Sequence, residues 1–266
     1  QKKTSAMLLK DKCVIVTGGS RGIGAGISRA MAQAGADVVI NYFSENDAEL
    51  GQTDGIEAVL ADIEASGRRA IAIEGNVADP NTGQKIVDAA VAEFGKVDVL
   101  SSNAGICPFH SFLDIPIDVM RRVSAVNYEG SFMVSQAAAR QMVKQGHGGA
   151  IIATSSISAL VGGELQSHYT PTKAAVHSMM QSVSISLGKH NIRCNSIMPG
   201  TILTDLTREV LDGTELAEYS LKRIPLGRFG TPDDIGQVAV FLASDMARYV
   251  TGASILVDGG MYVNLE

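Results

Sequence analysis

The sequence lacks the features that would direct it to a membrane or to nucleic acid. No apolar run reaches the roughly eighteen residues that a membrane-spanning helix needs. No dense cluster of lysine and arginine occurs, and the formal net charge is -6, which argues against a nucleic acid or an anionic membrane surface as partner. With 45% hydrophobic and 19% charged residues in 266, we expect a soluble globular protein with a sizeable core.

Cysteine is also scarce, which argues against a disulfide framework. The three cysteines, Cys13, Cys107 and Cys194, are widely separated, odd in number and set in apolar or strand-like sequence. A CxxC metal site is therefore not expected, and a reducing cytoplasm fits best. Residues 1–6 are not followed by the apolar segment of a signal peptide. We expect them to be a remnant or a disordered segment ahead of Met7.

A glycine-rich turn between an apolar strand and a helix is the first positive signal. Residues 13–16 are apolar and rich in β-branched side chains, and the sequence TGGSRGIG follows at 17–24. We expect a helix from about Ile23 to Ala34. Glycines let the backbone approach a pyrophosphate, which N–H groups at the helix start can bind. The pattern predicts nucleotide binding; a tight turn without a ligand is the alternative.

Strands and helices alternate along most of the remaining chain. We predict strands at 37–40, 70–74, 97–101, 150–153, 192–197 and 254–257, and helices that end near residue 66 or span 82–94, 119–143, 169–187 and 232–243. This alternation requires crossover connections, so it predicts an α/β fold with one doubly wound parallel sheet and helices on both faces. Residues 7–266 are expected to form a single domain. The polar segment of about 201–230 interrupts the alternation and is predicted to be a lid over the substrate.

Ser156, Tyr169 and Lys173 indicate a reactive group. Residues four apart on a helix lie on one face, so the Lys173 ammonium can sit beneath the Tyr169 phenol. A positive charge there would lower the phenol pKa from its usual value of about 10. A hydroxyl such as that of Ser156 could hold a substrate oxygen beside the phenol while hydrogen leaves the adjacent carbon. Tyrosine and lysine at this spacing also occur by chance on surface helices.

Taken together, the motifs resemble the short-chain dehydrogenase/reductase family from Met7 onward. They are the glycine turn, the sequence NAG at 103–105, Asn127, Ser156 and the pair Tyr169 and Lys173. The resemblance implies a Rossmann-like fold, nicotinamide-dependent hydride transfer and a homotetramer. It implies that Tyr169 is the acid/base, that Ser156 orients the reacting oxygen and that Lys173 binds the nicotinamide ribose. Asn127 would hold a water that relays protons; a helix kink is the alternative role.

The resemblance also implies where the cofactor lies. The NAG sequence would run along it, and residues 199–201 would flank the nicotinamide. Asn76 stands where relatives often have an aspartate that touches the adenine, and an amide can still bond the ring. The expected cofactor contacts are Gly18, Ser20, Arg21, Gly22, Ile23, Gly24, Asn41, Ser44, Asn76, Val77, Asn103, Ala104, Gly105, Tyr169, Lys173, Pro199, Gly200, Thr201 and Ile202.

The strand end about twenty residues beyond the glycine turn predicts which cofactor is bound. An acidic residue there would bind the ribose 2′-hydroxyl of NAD and repel a 2′-phosphate. This chain has NYFS at 41–44, whose amide and hydroxyl are neutral donors, and Arg21 offers a cation nearby. The pattern favours NADP. NAD stays possible, because Arg21 could be solvated and Glu45 or Asp47 could fold back.

Several segments resemble sugar 1-dehydrogenases of this family that act on L-rhamnose: MVKQG at 142–146, SSISALVGG at 155–163, HYTPTK at 168–173, and LVDGG at 256–260 with VN at 263–264. The implied reaction is oxidation of C1 to the lactone, with Tyr169 taking the anomeric proton. A carboxylate such as Glu164 can accept two sugar hydroxyls, although an exposed loop charge fits equally. The expected sugar contacts are Ser156, Ser158, Glu164, Gln166, Tyr169 and Thr201.

Two other functions stay open at this point. A 3-oxoacyl-carrier-protein reductase shares every catalytic motif and would need a basic surface near the lid, to which Lys222, Arg223 and Arg228 could contribute. A non-catalytic NADP-sensing or scaffold protein would not need the intact serine, tyrosine and lysine. We expect His168 and His177, which neighbour the site helix, to have surface or packing roles rather than to bind a metal.

Overall fold

The computed structural model describes residues 7–45, 55–204, 207 and 213–265. Expectations for residues 1–6, for Asp47 and for positions 205–206 and 208–212 of the predicted lid lie outside these ranges. The strands are β1 (Cys13–Thr17), β2 (Asp37–Tyr42), β3 (Ala70–Glu74), β4 (Val99–Ser102), β5 (Gly149–Thr154), β6 (Ile192–Pro199) and β7 (Ser254–Val257). The α-helices are α1 (Gly22–Gln33), α2 (Gly55–Ala65), α3 (Thr82–Phe94), α4 (Ile117–Ser124), α5 (Ser131–Gln145), α6 (Thr170–Leu187), α7 (Glu215–Lys222) and α8 (Pro232–Ala243).

The seven strands of the described residues form one sheet in the order β3-β2-β1-β4-β5-β6-β7, and every neighbouring pair is parallel. The strand order reverses direction between β1 and β4, which creates a crevice at the carboxyl ends of these two strands. Ligands of open α/β sheets bind at such a switch point. The predicted doubly wound parallel sheet is confirmed, and the glycine turn after β1 opens onto this crevice.

Two hydrophobic cores cover the two faces of the sheet. Alternate residues of β1 point to opposite sides, so Val14 and Val16 pack with α1, α2 and α8, whereas Cys13 and Ile15 pack with α3, α5 and α6. All five residues of β1 are buried. A strand covered on both faces has a continuous apolar sequence, which is why this run is a strong sequence signal.

Helices α1 and α8 approach each other closely because each has a glycine at the contact. A Cβ on Gly26 would lie 2.4 Å from the Cβ of Pro232, and one on Gly236 would lie 2.7 Å from the Cβ of Ala30. No room exists there for side chains. The contact fixes α1, and with it the turn that precedes α1, against the sheet.

One predicted helix is divided in the structure. The expected helix at 119–143 consists of α4, a π-helical segment at Ala125–Gly130 and α5. A wide π-turn inside a helix is rare and is often found at functional sites; this one carries Asn127. The strand predicted at 97–101 is β4, displaced toward its carboxyl end, and β6 extends to Pro199 because that residue pairs with Val257 of β7. None of the helices described here is long and apolar enough to span a membrane.

Candidate active site

The turn after β1 has a backbone that requires glycine. Gly18 has φ +60° and Gly22 has φ +49°, a left-handed region that favours residues without a side chain. A Cβ on Gly24 would lie 2.0 Å from the carbonyl oxygen of Gly18, and a Cβ on Gly18 would lie 2.9 Å from the Cα of Ala104. Glycine is therefore required here by conformation and by close packing. We call residues 18–24 the cofactor cradle.

The start of α1 is not capped by the side chain of its own N-cap residue. Its N-cap residue, Arg21, is extended and makes no capping hydrogen bond, and the first turn contains no acidic residue. The first N–H groups of a helix have no partner within the helix and carry a partial positive charge. In the cradle Ser20 is buried, and Ile23 packs against the core on the α1 side of the sheet. Main-chain N–H groups can donate hydrogen bonds to the negatively charged oxygens of a pyrophosphate, and the glycines leave room for it to approach the backbone.

The NAG sequence after β4 is attached to the cradle by hydrogen bonds. The hydroxyl of Thr17 accepts from the main-chain N–H of Asn103 at 3.0 Å and of Ala104 at 3.1 Å. The side-chain amide of Asn103 also donates to the carbonyl of Gly18 at 3.2 Å. A Cβ on Gly105 would lie 3.4 Å from Nζ of Lys173. These contacts place the NAG sequence between the cradle and the reactive lysine.

The end of β2 differs from the sequence-based expectation. Asn41 is buried, and its amide donates to the carbonyls of Ile73 at 3.2 Å and of Gly75 at 2.9 Å. The geometry therefore does not support Asn41 as a donor to the ribose, because its amide hydrogens are engaged by the main chain at β3. The hydroxyl of Ser44 donates to the carboxylate of Glu74, the last residue of β3. Inspection of β2 alone missed this carboxylate because it belongs to the neighbouring strand.

The expected adenine residue, Asn76, bonds its own turn. Its side-chain oxygen accepts from the N–H of Ala78 at 3.0 Å, and Val77 beside it is buried. On the opposite side of the crevice, the N–H of Gly200 donates to Val257 at 3.1 Å. Ile202 is buried, and the hydroxyl of Thr201 lies 3.6 Å from the sulfur of Met261.

Lys173 lies deep in the site. Its side chain is 5% exposed, and Nζ donates to the carbonyl of Thr154 at 2.9 Å and lies 5.5 Å from the ring centroid of Tyr169. Ser155 bonds the main chain of the same helix, donating to the carbonyl of Lys173 at 2.8 Å. Burial lowers the pKa of Lys173 to about 8 because the ammonium loses its hydration. The predicted meeting of tyrosine and lysine on one helix face is present.

The acidity of Tyr169 differs from the prediction. Burial raises the pKa of this phenol well above its usual value of 10, and the hydrogen bond with Ser156 acts in the opposite direction. The sequence-based argument considered only the charge of Lys173, whereas withdrawal from water penalises the phenolate. Ser156 also accepts a hydrogen bond from the N–H of Ser158 at 3.0 Å, which begins the short 3-10 helix Ile157–Ala159. Ser156 rather than Ser155 is thus the serine at the phenol.

Asn127 joins the loop after the NAG sequence to α6. Its side-chain oxygen accepts from the N–H of Ile106 at 2.8 Å, and its amide donates to the carbonyl of Ile106 at 3.0 Å and to the hydroxyl of Thr172 at 3.2 Å. The side chain is 1% exposed. Both amide hydrogens have partners, so these contacts support a structural role at the π-turn. The relay role is not tested by them and stays a prediction.

The predicted sugar contacts differ in exposure. Ser156 is buried, Ser158 and Thr201 are half-buried, and Glu164 is exposed. Gln166 is half-buried, and its amide donates to the sulfur of Cys107 at 3.3 Å. This pairing could not be predicted, because fifty-nine residues separate the two positions.

The two histidines near the site have partners. His168 is 5% exposed, with Nε2 2.7 Å from the carbonyl oxygen of Pro108. His177 has Nδ1 2.6 Å from the hydroxyl of Ser254. These bonds agree with the predicted packing roles, although the burial of His168 excludes a surface position.

Known proteins resemble this chain over nearly its whole length. A family model described as enoyl-(acyl carrier protein) reductase matches residues 18–262. The chain is 60% identical over 260 residues to an L-rhamnose 1-dehydrogenase (NAD(P)(+)) from Sphingomonas sp. (strain SKA58), covering 97% of this chain and 99% of that protein. It is 42% identical to an L-rhamnose 1-dehydrogenase (NADP(+)) from Thermoplasma acidophilum, covering 97% and 98%. A 3-oxoacyl-(acyl-carrier-protein) reductase FabG from Staphylococcus aureus is 39% identical, covering 95% and 98%.

A solved structure confirms the fold and bears on the family. A short-chain type dehydrogenase/reductase from Mycobacterium marinum has a TM-score of 0.85 and 35% identity, covering 95% of this chain and 96% of that one. Relatives of this identity over nearly the full length show the family as well as the fold. The family assignment also agrees with the presence of the glycine cradle and of Ser156, Tyr169 and Lys173. The chain belongs to the short-chain dehydrogenase/reductase family and is an NAD(P)-dependent oxidoreductase.

Proposed function

We propose that the protein oxidises C1 of L-rhamnose to the lactone, with NADP as the preferred cofactor. The observation that carries the substrate is the 60% identity over 260 residues to a protein named as an L-rhamnose 1-dehydrogenase (NAD(P)(+)), and the name of the Thermoplasma relative, which gives NADP(+), supports the cofactor. The reductase relative that acts on carrier-protein substrates is more distant, at 39%. The reactive residues are common to both activities, so the substrate follows from overall similarity rather than from the reactive group.

Tyr169 is the acid/base in this proposal. Its phenolate oxygen accepts the proton of the anomeric hydroxyl while Ser156 holds the same oxygen by a hydrogen bond. A bound nicotinamide supplies the hydride acceptor for C1, and the lone pair of the sugar ring oxygen assists the loss of hydride. Burial keeps the phenol protonated in the free site, so Tyr169 must first give this proton to solvent, for which the water relay predicted at Asn127 is the proposed route. Lys173, 5.5 Å from the ring, is the cation beside it.

The cradle and the start of α1 would hold the pyrophosphate, and Lys173 would hold the nicotinamide ribose. Preference for NADP rests on Arg21 near the expected ribose 2′ position, because the amide of Asn41 and the hydroxyl hydrogen of Ser44 are engaged elsewhere. Glu74 opposes this preference, since its carboxylate bonds Ser44 and would repel a 2′-phosphate. The balance between Arg21 and Glu74 sets the ratio of NADP to NAD use in this proposal.

Steady-state kinetics with both cofactors test this balance. Arg21→Ala is expected to lower kcat/KM for NADP about tenfold more than for NAD, because one charge-assisted contact with the phosphate is lost. Glu74→Gln is expected to raise kcat/KM for NADP relative to that for NAD, because the carboxylate that repels the 2′-phosphate is lost. Arg29→Ala is a matched control on the exposed side of α1, where Arg29 pairs with Asp62 at 2.7 Å. Equal losses for NAD and NADP in Arg21→Ala would refute the assignment.

A panel of aldoses tests the substrate. Wild-type protein is mixed with L-rhamnose, L-mannose or L-lyxose and either cofactor, and the absorbance of the reduced cofactor is followed. The proposal expects the highest kcat/KM with L-rhamnose. No turnover of any aldose together with turnover of acetoacetyl thioesters would overturn it in favour of the carrier-protein reductase. Cofactor binding without turnover of any sugar, alcohol or ketone would favour the non-catalytic alternative.

The basic surface expected of a carrier-protein reductase is partly neutralised. Both guanidinium nitrogens of Arg228 bond the Asp234 carboxylate at 2.8 Å. Arg223 donates to the carbonyl of Asn264 at 3.3 Å. Of the three cations considered for an acidic carrier, Arg228 is paired with a carboxylate, whereas Arg223 keeps its charge, so the basic surface is weakened at one position.

The lid and the assembly are further parts of the proposal. The two ends of the 201–230 segment are held together, because Leu203 donates to the carbonyl of Gly230 at 2.8 Å and Gly230 donates to that of Thr201 at 3.0 Å. The described part between them contains α7. Ends fixed in this way suit a segment that closes over a ligand as a unit. A homotetramer in the cytoplasm is also proposed, and light scattering of the purified protein tests the number of subunits.

A further inference from the structure

Two segments beside the reactive group are joined by a series of hydrogen bonds. One is the loop 106–110, which follows the NAG sequence, and the other is 165–168, which leads into Tyr169. The amide of Gln166 donates to the sulfur of Cys107 at 3.3 Å, and the main-chain N–H of His110 donates to the carbonyl of Leu165 at 3.1 Å. A third bond joins the same two segments, because Nε2 of His168 lies 2.7 Å from the carbonyl oxygen of Pro108. We call these paired segments the strap.

The strap lies against the reactive residues. Asn127 fixes its first residue, Ile106, through two hydrogen bonds of 2.8 and 3.0 Å. Cys107 accepts a hydrogen bond from Gln166, which lies three residues before Tyr169, and burial raises the pKa of its thiol, which is therefore neutral beside the phenol. Loop 106–110 therefore lies beside the reactive group without supplying any of its reacting atoms.

The bond from His168 has only one possible direction. A carbonyl oxygen accepts and cannot donate, so Nε2 carries the hydrogen and donates to Pro108. The ring is buried, and its Nδ1 has no hydrogen-bond partner among the residues that the structure describes. Burial of an unpaired nitrogen is unfavourable. The bond to Pro108 is thus the polar contact that holds the ring at this position.

We propose that His168 is a positioning residue that sets the width of the sugar site. By holding Pro108, it fixes loop 106–110 relative to the neighbouring Tyr169, and with it the Cys107 and Gln166 pair. Loss of this bond is expected to let the loop move and weaken sugar binding, while the phenol, Ser156 and the cradle stay in place. The identity of the sugar in this inference rests on the proposed function. The role of His168 in holding loop 106–110 does not depend on it.

The first experiment compares two substitutions at His168. His168→Leu removes the donor, whereas His168→Gln keeps an N–H at the same number of bonds from Cβ as Nε2. We expect His168→Leu to raise KM for L-rhamnose about tenfold, the effect of one lost hydrogen bond. Its kcat and its KM for the cofactor are expected to stay within about twofold, and His168→Gln is expected to recover most of the affinity. His177→Leu is the matched control. His177, like His168, makes one side-chain hydrogen bond, to the hydroxyl of Ser254, but it lies in α6 and outside the strap.

Hydrogen exchange provides a readout that needs no substrate. Peptides covering residues 106–113 are expected to exchange faster in His168→Leu than in wild type, and at the wild-type rate in His168→Gln and His177→Leu. An unchanged KM in His168→Leu, or a His168→Gln variant as impaired as His168→Leu, overturns the inference. If wild type turns over no aldose, the proposed function fails, and unchanged exchange at 106–113 in His168→Leu would still refute the strap.

Discussion

The cofactor cradle and the reactive group recognise their ligands in opposite ways. In the proposed binding mode the main chain of the cradle faces the cofactor, and a Cβ on Gly24 would lie only 2.0 Å from a backbone oxygen. In the reactive group the side chains of Tyr169 and Lys173 act, and burial shifts the pKa of both away from their usual values. Binding by the main chain depends on the absence of side chains. Chemistry by side chains depends on burial, which opposes their charged forms.

The largest effect is expected from removal of the phenol hydroxyl. Tyr169→Phe should lower kcat about 10²- to 10⁴-fold, the usual contribution of a positioned acid or base. The cradle is untouched, so cofactor binding, measured by fluorescence titration, should weaken far less than kcat falls. A loss of kcat below about tenfold would contradict the role of Tyr169 and would weaken the distinction between the two regions.

A side chain in the cradle should give the reverse result. Gly24→Ala places a methyl group against the Gly18 carbonyl and 2.6 Å from the Asn103 amide, so the cradle must shift. We expect the Kd for the cofactor to rise about tenfold or more, given the strength of anion binding at helix starts. Gly95→Ala is the control: Gly95 has φ +78° but nothing within 4 Å of an added Cβ. It should lower Tm without changing the Kd, and an unchanged Kd in Gly24→Ala would contradict the cradle.

The smallest effect concerns stability and pH. The pKa of Lys173 is lowered from 10.5 to about 8 in the folded protein, so the unfolded chain binds more protons between these values. The cost of burying the ammonium is complete below pH 8 and disappears as the pH rises toward 10.5. Lys173→Met should therefore have a higher Tm than wild type at pH 7, and this difference should shrink above pH 8.

Thermal unfolding of the two cofactor-free proteins from pH 7 to pH 10 measures this difference. Comparison with wild type at each pH cancels the titration of the buried cysteines, whose pKa values are also raised. Lys144→Met, at an exposed lysine of α5, serves as the control. A Tm difference that stays constant across this range would show that burial does not lower the pKa of Lys173 in the folded protein.

Most of the fold could be predicted because its signals are local. The apolar strands, the glycine turn and the helix at 82–94 depend on neighbouring residues. The segment 119–143 was predicted as mostly helical, and its single glycine at 130 does not by itself distinguish a π-turn at 125–130 from an α-helix. That turn accompanies the bonds from Asn127 to Ile106 and Thr172, which are contacts between elements far apart in sequence.

The candidate site was predicted in its composition but not in its contacts. The spacing of Tyr169 and Lys173 predicts a shared helix face correctly, because helix geometry fixes it. The direction of the phenol pKa was wrong, since burial depends on the packed fold and not on spacing. The same limit applies to Asn41, whose amide turns toward β3, and to Glu74, which β3 places beside Ser44.

The sequence by itself determined the parallel α/β fold and the place of the glycine turn, because short-range patterns encode both. It also predicted Ser156, Tyr169 and Lys173 as the reactive group, through their spacing and the family resemblance. The tertiary structure decided the acidity of Tyr169 and Lys173, the partners of Asn41 and Asn127 and the bond between His168 and Pro108. These properties depend on which groups lose water and which distant groups meet. Both are consequences of packing, which no single segment of the chain contains.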